Sequence, residues 1–196
     1  MNASLRWSTF AAPSRFYRLA GWLVPWCWAV AIALALAGLW VGFGIAPSDF
    51  QQGDAYRIIF IHVPAASISM LLYMVMAFWA VIGWALNVRL ASMLARAIAP
   101  TGALLALVGA VNVPIIYFSV RWWNTLHQGA TISMTAAPKM AHTMLIAMLL
   151  MTIACWAYAF AVVFTRVRAI IIERERHTAW VAGLAVAGAG AGANGV

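Results

Sequence analysis

Acidic side chains are almost missing from this sequence. Asp49, Asp54, Glu173 and Glu175 are the four it has, and no aspartate follows Asp54. Asp49 and Asp54 lie close together in one polar stretch, where their ordinary role is turn formation or capping rather than acid–base work. Cysteine is equally scarce: Cys27 and Cys155 each stand alone inside an apolar run, with no C-x-x-C spacing, so they read as inert residues facing lipid or core. No nucleophile motif, phosphate-binding loop or cysteine-rich metal site is present. These absences exclude a conventional hydrolase or ATPase. Charge of either sign makes up only 8% of the residues, and no polar block is long enough for a separate soluble domain.

What is there is apolar. Hydrophobic residues make up 66% of the 196 positions, and the mean hydropathy is +0.93. That is an all-α integral membrane protein, because in lipid each backbone polar group must be satisfied within its own segment. Spans need about 20 apolar residues, and four stretches qualify: Leu19 to Phe43, Pro64 to Leu86 with an apolar lead-in from Ile58, Ile98 to Val120, and Met140 to Thr165. The first follows Arg6, Arg15 and Arg18 but is too long for a cleaved signal segment, so it reads as a retained helix. The chain divides into an N-terminal segment 1–18, a membrane domain 19–166 with outer loops 44–63 and 121–139, and a tail 167–196 whose Ala/Gly-rich end reads as flexible.

Four spans put both termini on one side. Arg6, Arg15, Arg18, Arg89, Arg96, Arg166, Arg168, Arg174 and Arg176 then share that side, against Arg57, Arg121 and Lys139 on the other. Basic residues concentrate on the cytoplasmic side of membrane proteins, which predicts both ends in the cytoplasm and the two loops outside. The net charge of +8 is thus an orientation signal and does not point to nucleic acid. Most tryptophans, Trp22, Trp26, Trp28, Trp40 and Trp84 among them, fit interfacial belts.

Each outer loop carries one histidine, His62 and His127. Pro64 suits the first turn of a helix, which predicts His62 just outside the second span. Neutral imidazole is a common ligand of iron, copper and zinc, and two of them on opposed loops can hold an iron porphyrin from both axial sides. Trp122, Trp123, Tyr56, Phe60 and Phe50 can cover a flat macrocycle, and Arg57, Arg121 and Lys139 can pair with its propionates. For either histidine the plainer alternative is an interfacial imidazole bonded to a loop carbonyl. His142 opens the last span and His177 lies among charges, so both are weaker candidates.

The strings "GFGIAPSDFQQGDAYRIIFIHVPAA", "NVPIIYFSVRWWNTLHQGAT" and "SRFYRLAGWLVPW" closely resemble the CcmC family of the bacterial system I cytochrome c maturation pathway, over about Phe16 to Trp180. The resemblance implies a multi-pass protein of the inner membrane that is not an enzyme. It implies axial ligation of haem b by His62 and His127 at the periplasmic face. It also implies presentation of that haem to the haem chaperone CcmE, alongside CcmA, CcmB and CcmD. The family has six spans and, between the third and fourth, a Trp-rich WWD segment with a W-x-W-D core. With no aspartate beyond Asp54 this chain has no such segment. "RAIAPTGA" resembles the start of the family's third helix and runs straight into "LLALVGAVNVPIIYFSV", which resembles its fifth, so about two helices and their connection are missing. The competing reading is a bis-histidine cytochrome b-type electron carrier. Such a carrier usually buries its histidines inside its spans.

Overall fold

The computed structural model describes residues 12–49, 53–103, 140–184 and 186, and all regular structure among them is helical apart from one bridge between Asp49 and Gly53. Helix α1 (Pro13–Leu39) starts with proline at its first position, where the missing N–H would be unpaired anyway. It continues without a break into a wider π-helical turn, Trp40–Ile45. A 3₁₀ turn, Asp54–Ile58, feeds α2 (Ile59–Ala85). Asn87 takes a left-handed conformation (φ 52°), which asparagine tolerates better than most residues, and reverses the chain into α3, described over 89–103. Helix α4 is His142–Arg174, and a short helix over 179–184 follows.

Three of these helical stretches, Pro13–Ile45, Tyr56–Ala85 and His142–Arg174, are long and apolar enough to cross a membrane. Their outward surfaces are large apolar side chains, for example Met70, Met74, Trp40 and Trp84, the last of them 84% exposed. A soluble protein would not present such a surface to water. In lipid it is the normal exterior.

Helix α4 is the centre of the bundle, with buried residues from Met144 to Ile171. Helix α1 runs antiparallel along it, and the pairs Phe16–Phe164, Trp28–Tyr158 and Gly38–Met151 mark the register. Close packing drives helix association in lipid, so small residues at a crossing matter. A Cβ on Gly38 would lie 2.8 Å from Met151 Cγ, which means that glycine sets how near α1 and α4 approach. Two cores result. At the loop end Tyr56, Phe60, Met144, Ala147 and Met148 pack together. At the opposite, basic end the core joins Leu72, Met93, Leu94, Ile98, Val163, Val167 and Ile171.

Several boundaries differ from those expected from apolar runs. Helix α1 begins at Pro13, six residues before Leu19. Helix α3 is already formed at 89 rather than at Ile98, because Leu90, Met93, Leu94 and Ala97 make a buried stripe at helical spacing while Arg89 and Arg96 point outward. Helix α4 extends to Arg174, beyond Thr165, for the same reason: Val167 and Ile171 are fully buried among charged neighbours. The tail is helical again over 179–184, with Trp180 against Tyr17 at 5.8 Å. Most of the expected third span, 104–120, and the loop 121–139 lie outside the described residues, as does the Ala/Gly-rich end from 187.

Candidate functional site

The loop end is built on a set of side chains that fasten the segment 44–58 to the helices it joins. The π-turn leaves carbonyls exposed at the end of α1. Arg57 closes them: its Nη1 donates to the carbonyls of Gly42 at 2.6 Å and Phe43 at 2.9 Å, while its Nε donates to Asp54 Oδ1 at 3.0 Å. Ser48 donates to the same Asp54 oxygen at 2.9 Å. The Ser48 hydrogen bond, then the hydrogen bond and charge of Arg57, hold the Asp54 carboxyl below the usual carboxylate range. Tyr56 donates its hydroxyl to the Pro47 carbonyl at 2.6 Å. Asp49 and Gly53 exchange two backbone hydrogen bonds, and Gly53 takes a positive φ (57°), which glycine adopts without strain.

Beneath this loop lies Phe60, with none of its surface exposed. Its ring meets Tyr56 and Phe43 edge to face, with centroids at 5.6 and 6.4 Å. It also fills the space over Gly42, where a Cβ would come within 2.6 Å of its ring. Tyr56 and Phe60 were expected to cover a macrocycle. They instead form the packed floor of the loop, because the bare backbone of Gly42 opens a slot that an aromatic ring fills.

His62 was expected just outside the second span and lies inside α2, as its fourth residue, with Pro64 also within the helix. The 3₁₀ turn anchored by Arg57 starts the helix early, and the proline interrupts only one backbone bond near its beginning, which membrane helices accommodate. Two residues on from Phe60, His62 sits about 200° round the helix from it, on the opposite face. The imidazole is exposed, and Ile58, Ile61 and Val63 around it are exposed as well. An accessible imidazole in an apolar setting at the end of a span suits a metal at the centre of a flat apolar ligand. No group of three or more His, Cys, Asp or Glu side chains that could hold a bare metal ion occurs among the described residues.

His127, Trp122, Trp123, Arg121, Lys139 and Phe50 lie outside the described residues. Arg57 is five residues before His62, but two of its three nitrogens are occupied by the loop, and its side chain is only 17% exposed. Its first role is therefore fastening. Sequence reading missed this because the carbonyls it caps lie fifteen residues earlier. Asp54 has the turn-forming role its position suggests. His142 is the exposed first residue of α4, at the same end of the bundle as His62.

A family model described as "Heme exporter protein C", CcmC, matches the chain in two stretches, residues 6–106 and 101–182. The Escherichia coli K12 heme exporter protein C is 35% identical over 188 aligned positions, covering 64% of this chain and 76% of that protein. The Haemophilus influenzae heme exporter protein C is 28% identical over 235 positions, 90% of this chain and 96% of its own length. A ccmC-like mitochondrial protein of cytochrome c biosynthesis from Marchantia polymorpha is 34% identical over 170 positions, 60% of this chain and 73% of that protein. The Haemophilus alignment is longer than the whole of this 196-residue chain, so that relative carries residues with no counterpart here. The two family stretches meet at 101–106, where "RAIAPTGA" gives way to "LLALVGAV". On the family match and on these identities, the chain belongs to the CcmC, heme exporter protein C, family.

Proposed function

We propose that this chain is a haem-handling membrane protein of cytochrome c maturation, one that binds haem b as cargo at the loop end of its bundle. The observation that carries this reading is His62: an exposed imidazole among exposed apolar side chains, on a helix start that Arg57, Asp54, Ser48 and Tyr56 make rigid. His62 supplies one axial ligand and His127 the other. Trp122 and Trp123 cover the ring, and Arg121, with whatever capacity Arg57 has left, pairs with the propionates. Held in this way, haem is kept at the membrane edge, where a partner can take it without crossing hydrocarbon.

In the inner-membrane orientation favoured by the basic residues, the loop end is periplasmic and both termini are cytoplasmic, with 1–18 and 167–196 on that side and 19–166 as the membrane domain. CcmE is the acceptor, with CcmA, CcmB and CcmD as partners. The two family stretches meet at 101–106; by the resemblance this is where the family's two further helices and WWD segment would stand, and no aspartate follows Asp54. Transfer to CcmE is thus the step most weakened, while His62 and the loop that fastens it are retained. The electron-carrier alternative is disfavoured by the same histidine, which sits at the exposed end of its helix rather than in the bundle interior.

A reduced-minus-oxidised absorbance spectrum of the detergent-purified chain tests the proposal. A low-spin haem b signal supports it. Purified folded protein that takes up no haem when haem is added refutes it.

A further inference from the structure

The basic end of the bundle holds several arginines, and some of them have partners. Arg89 pairs with Glu175 at 3.0 Å, Arg166 donates to Thr101 at 2.6 Å, and Arg174 donates to Ser92 at 3.3 Å. Arg168 differs. Its guanidinium lies over the Tyr17 ring, 4.5 Å from the centroid, and against the backbone of Gly21, where a Cβ would sit 3.0 Å from Cζ. Its Nε is buried and donates to no acceptor, and among the described residues Arg168 makes no hydrogen bond or ion pair. The ring and the glycine hold a cation in place with its donors unspent.

One turn earlier on α4, Phe164 meets Phe16 of α1 edge to face at 5.9 Å. These two rings bound a cavity of about 210 Å³ that runs between α2, α3 and α4 past Ile68, Leu94 and Val163 as far as Trp156. Phe164 to Trp156 spans eight residues, about 12 Å along the helix. Every residue lining it is apolar. Arg15 and Arg18, on the first turns of α1 beside Phe16, are exposed, while the acidic side chains at this end are Glu173 and the already paired Glu175.

We propose that this end of the bundle binds one anionic phospholipid of the adjoining leaflet. Its acyl chain enters the apolar cavity beyond Phe16 and Phe164, and its phosphate is paired by Arg168 with support from Arg15 and Arg18. Charge complementarity selects the headgroup: among the described residues Arg168 and its neighbours face no unpaired carboxylate except Glu173, and a phosphate offers the acceptor that Arg168 lacks there. The cavity supplies the second requirement of a lipid site, an apolar slot that begins one helical turn from the cation. This site is at the opposite end from His62 and is independent of haem binding.

The test is native mass spectrometry of the purified full chain released from micelles containing phosphatidylglycerol or phosphatidylcholine of matched acyl chains. The wild-type chain should retain phosphatidylglycerol in preference. Arg168→Gln should weaken phosphatidylglycerol retention about fivefold, the factor one cation contributes at a charged membrane surface, and Arg96→Gln should not. Ile68→Trp, which leaves the cation in place and fills the cavity, should lower retention of both lipids. The proposal is overturned if Arg168→Gln keeps the preference, if Arg96→Gln loses it equally, or if Ile68→Trp retains lipid as well as the wild type does.

Discussion

Arg57 reaches back across the loop to the Gly42 carbonyl, 2.6 Å from its Nη1, and so ties the start of α2 to the end of α1. The helix that presents His62 is fixed by a bond to the helix before it, rather than by its own sequence alone.

Replacing Arg57 by Ala should therefore destabilise the chain before any haem is added. Charge-assisted hydrogen bonds are worth roughly 1.5–3 kcal/mol each, and a part-buried arginine supplies several here. Thermal unfolding of the haem-free protein in detergent should fall by several degrees, with faster amide exchange at 42–46. If Arg57 only paired with propionates, the haem-free protein would be unchanged.

Gly42→Ala should be costly for a different reason. The new methyl would enter the Phe60 ring, 2.6 Å from its nearest carbon, where the ring is fully buried. Overpacking of this kind costs roughly 1–3 kcal/mol. Adding Phe60→Leu should recover part of the loss, and a double-mutant cycle measured by unfolding would show the coupling.

The loop should also loosen in acid. Asp54 has its pKa depressed in the folded chain by Ser48 and Arg57, so its contribution is complete above the ordinary carboxylate value, about 4, and is lost as pH falls through the lower folded value. Hydrogen exchange over 44–58, corrected for intrinsic rates, should show protection at neutral pH that declines below about pH 4. Asp54→Asn should remove that pH dependence.

The helices at the membrane's heart were legible in the sequence because runs such as Leu19 to Phe43 and Met140 to Thr165 have no competing explanation. Their ends were not. Arg89 and Arg96 in α3, and Arg166 to Arg174 in α4, interrupt hydropathy without interrupting helix, since one buried stripe of Met93, Ile98, Val167 and Ile171 is enough to hold those turns against one another. Pro64 misled for a related reason: a rule about isolated turns gave way to a helix already started by the anchored 3₁₀ turn. At the site, His62 stood out by residue type. The roles of Tyr56, Phe60 and Arg57 depended on the bare backbone of Gly42 and on distant carbonyls, which no local pattern encodes.

The central claim is that His62 is an axial haem ligand, with His127 opposite it. The most direct measurement is the absorbance spectrum of haem-loaded His62→Ala, compared with wild type and with His142→Ala. Wild type and His142→Ala should show a six-coordinate, low-spin spectrum. His62→Ala should be high-spin or depleted of haem, with low-spin character partly restored by added imidazole as it fills the vacated position. An unchanged low-spin spectrum in haem-bound His62→Ala would contradict it.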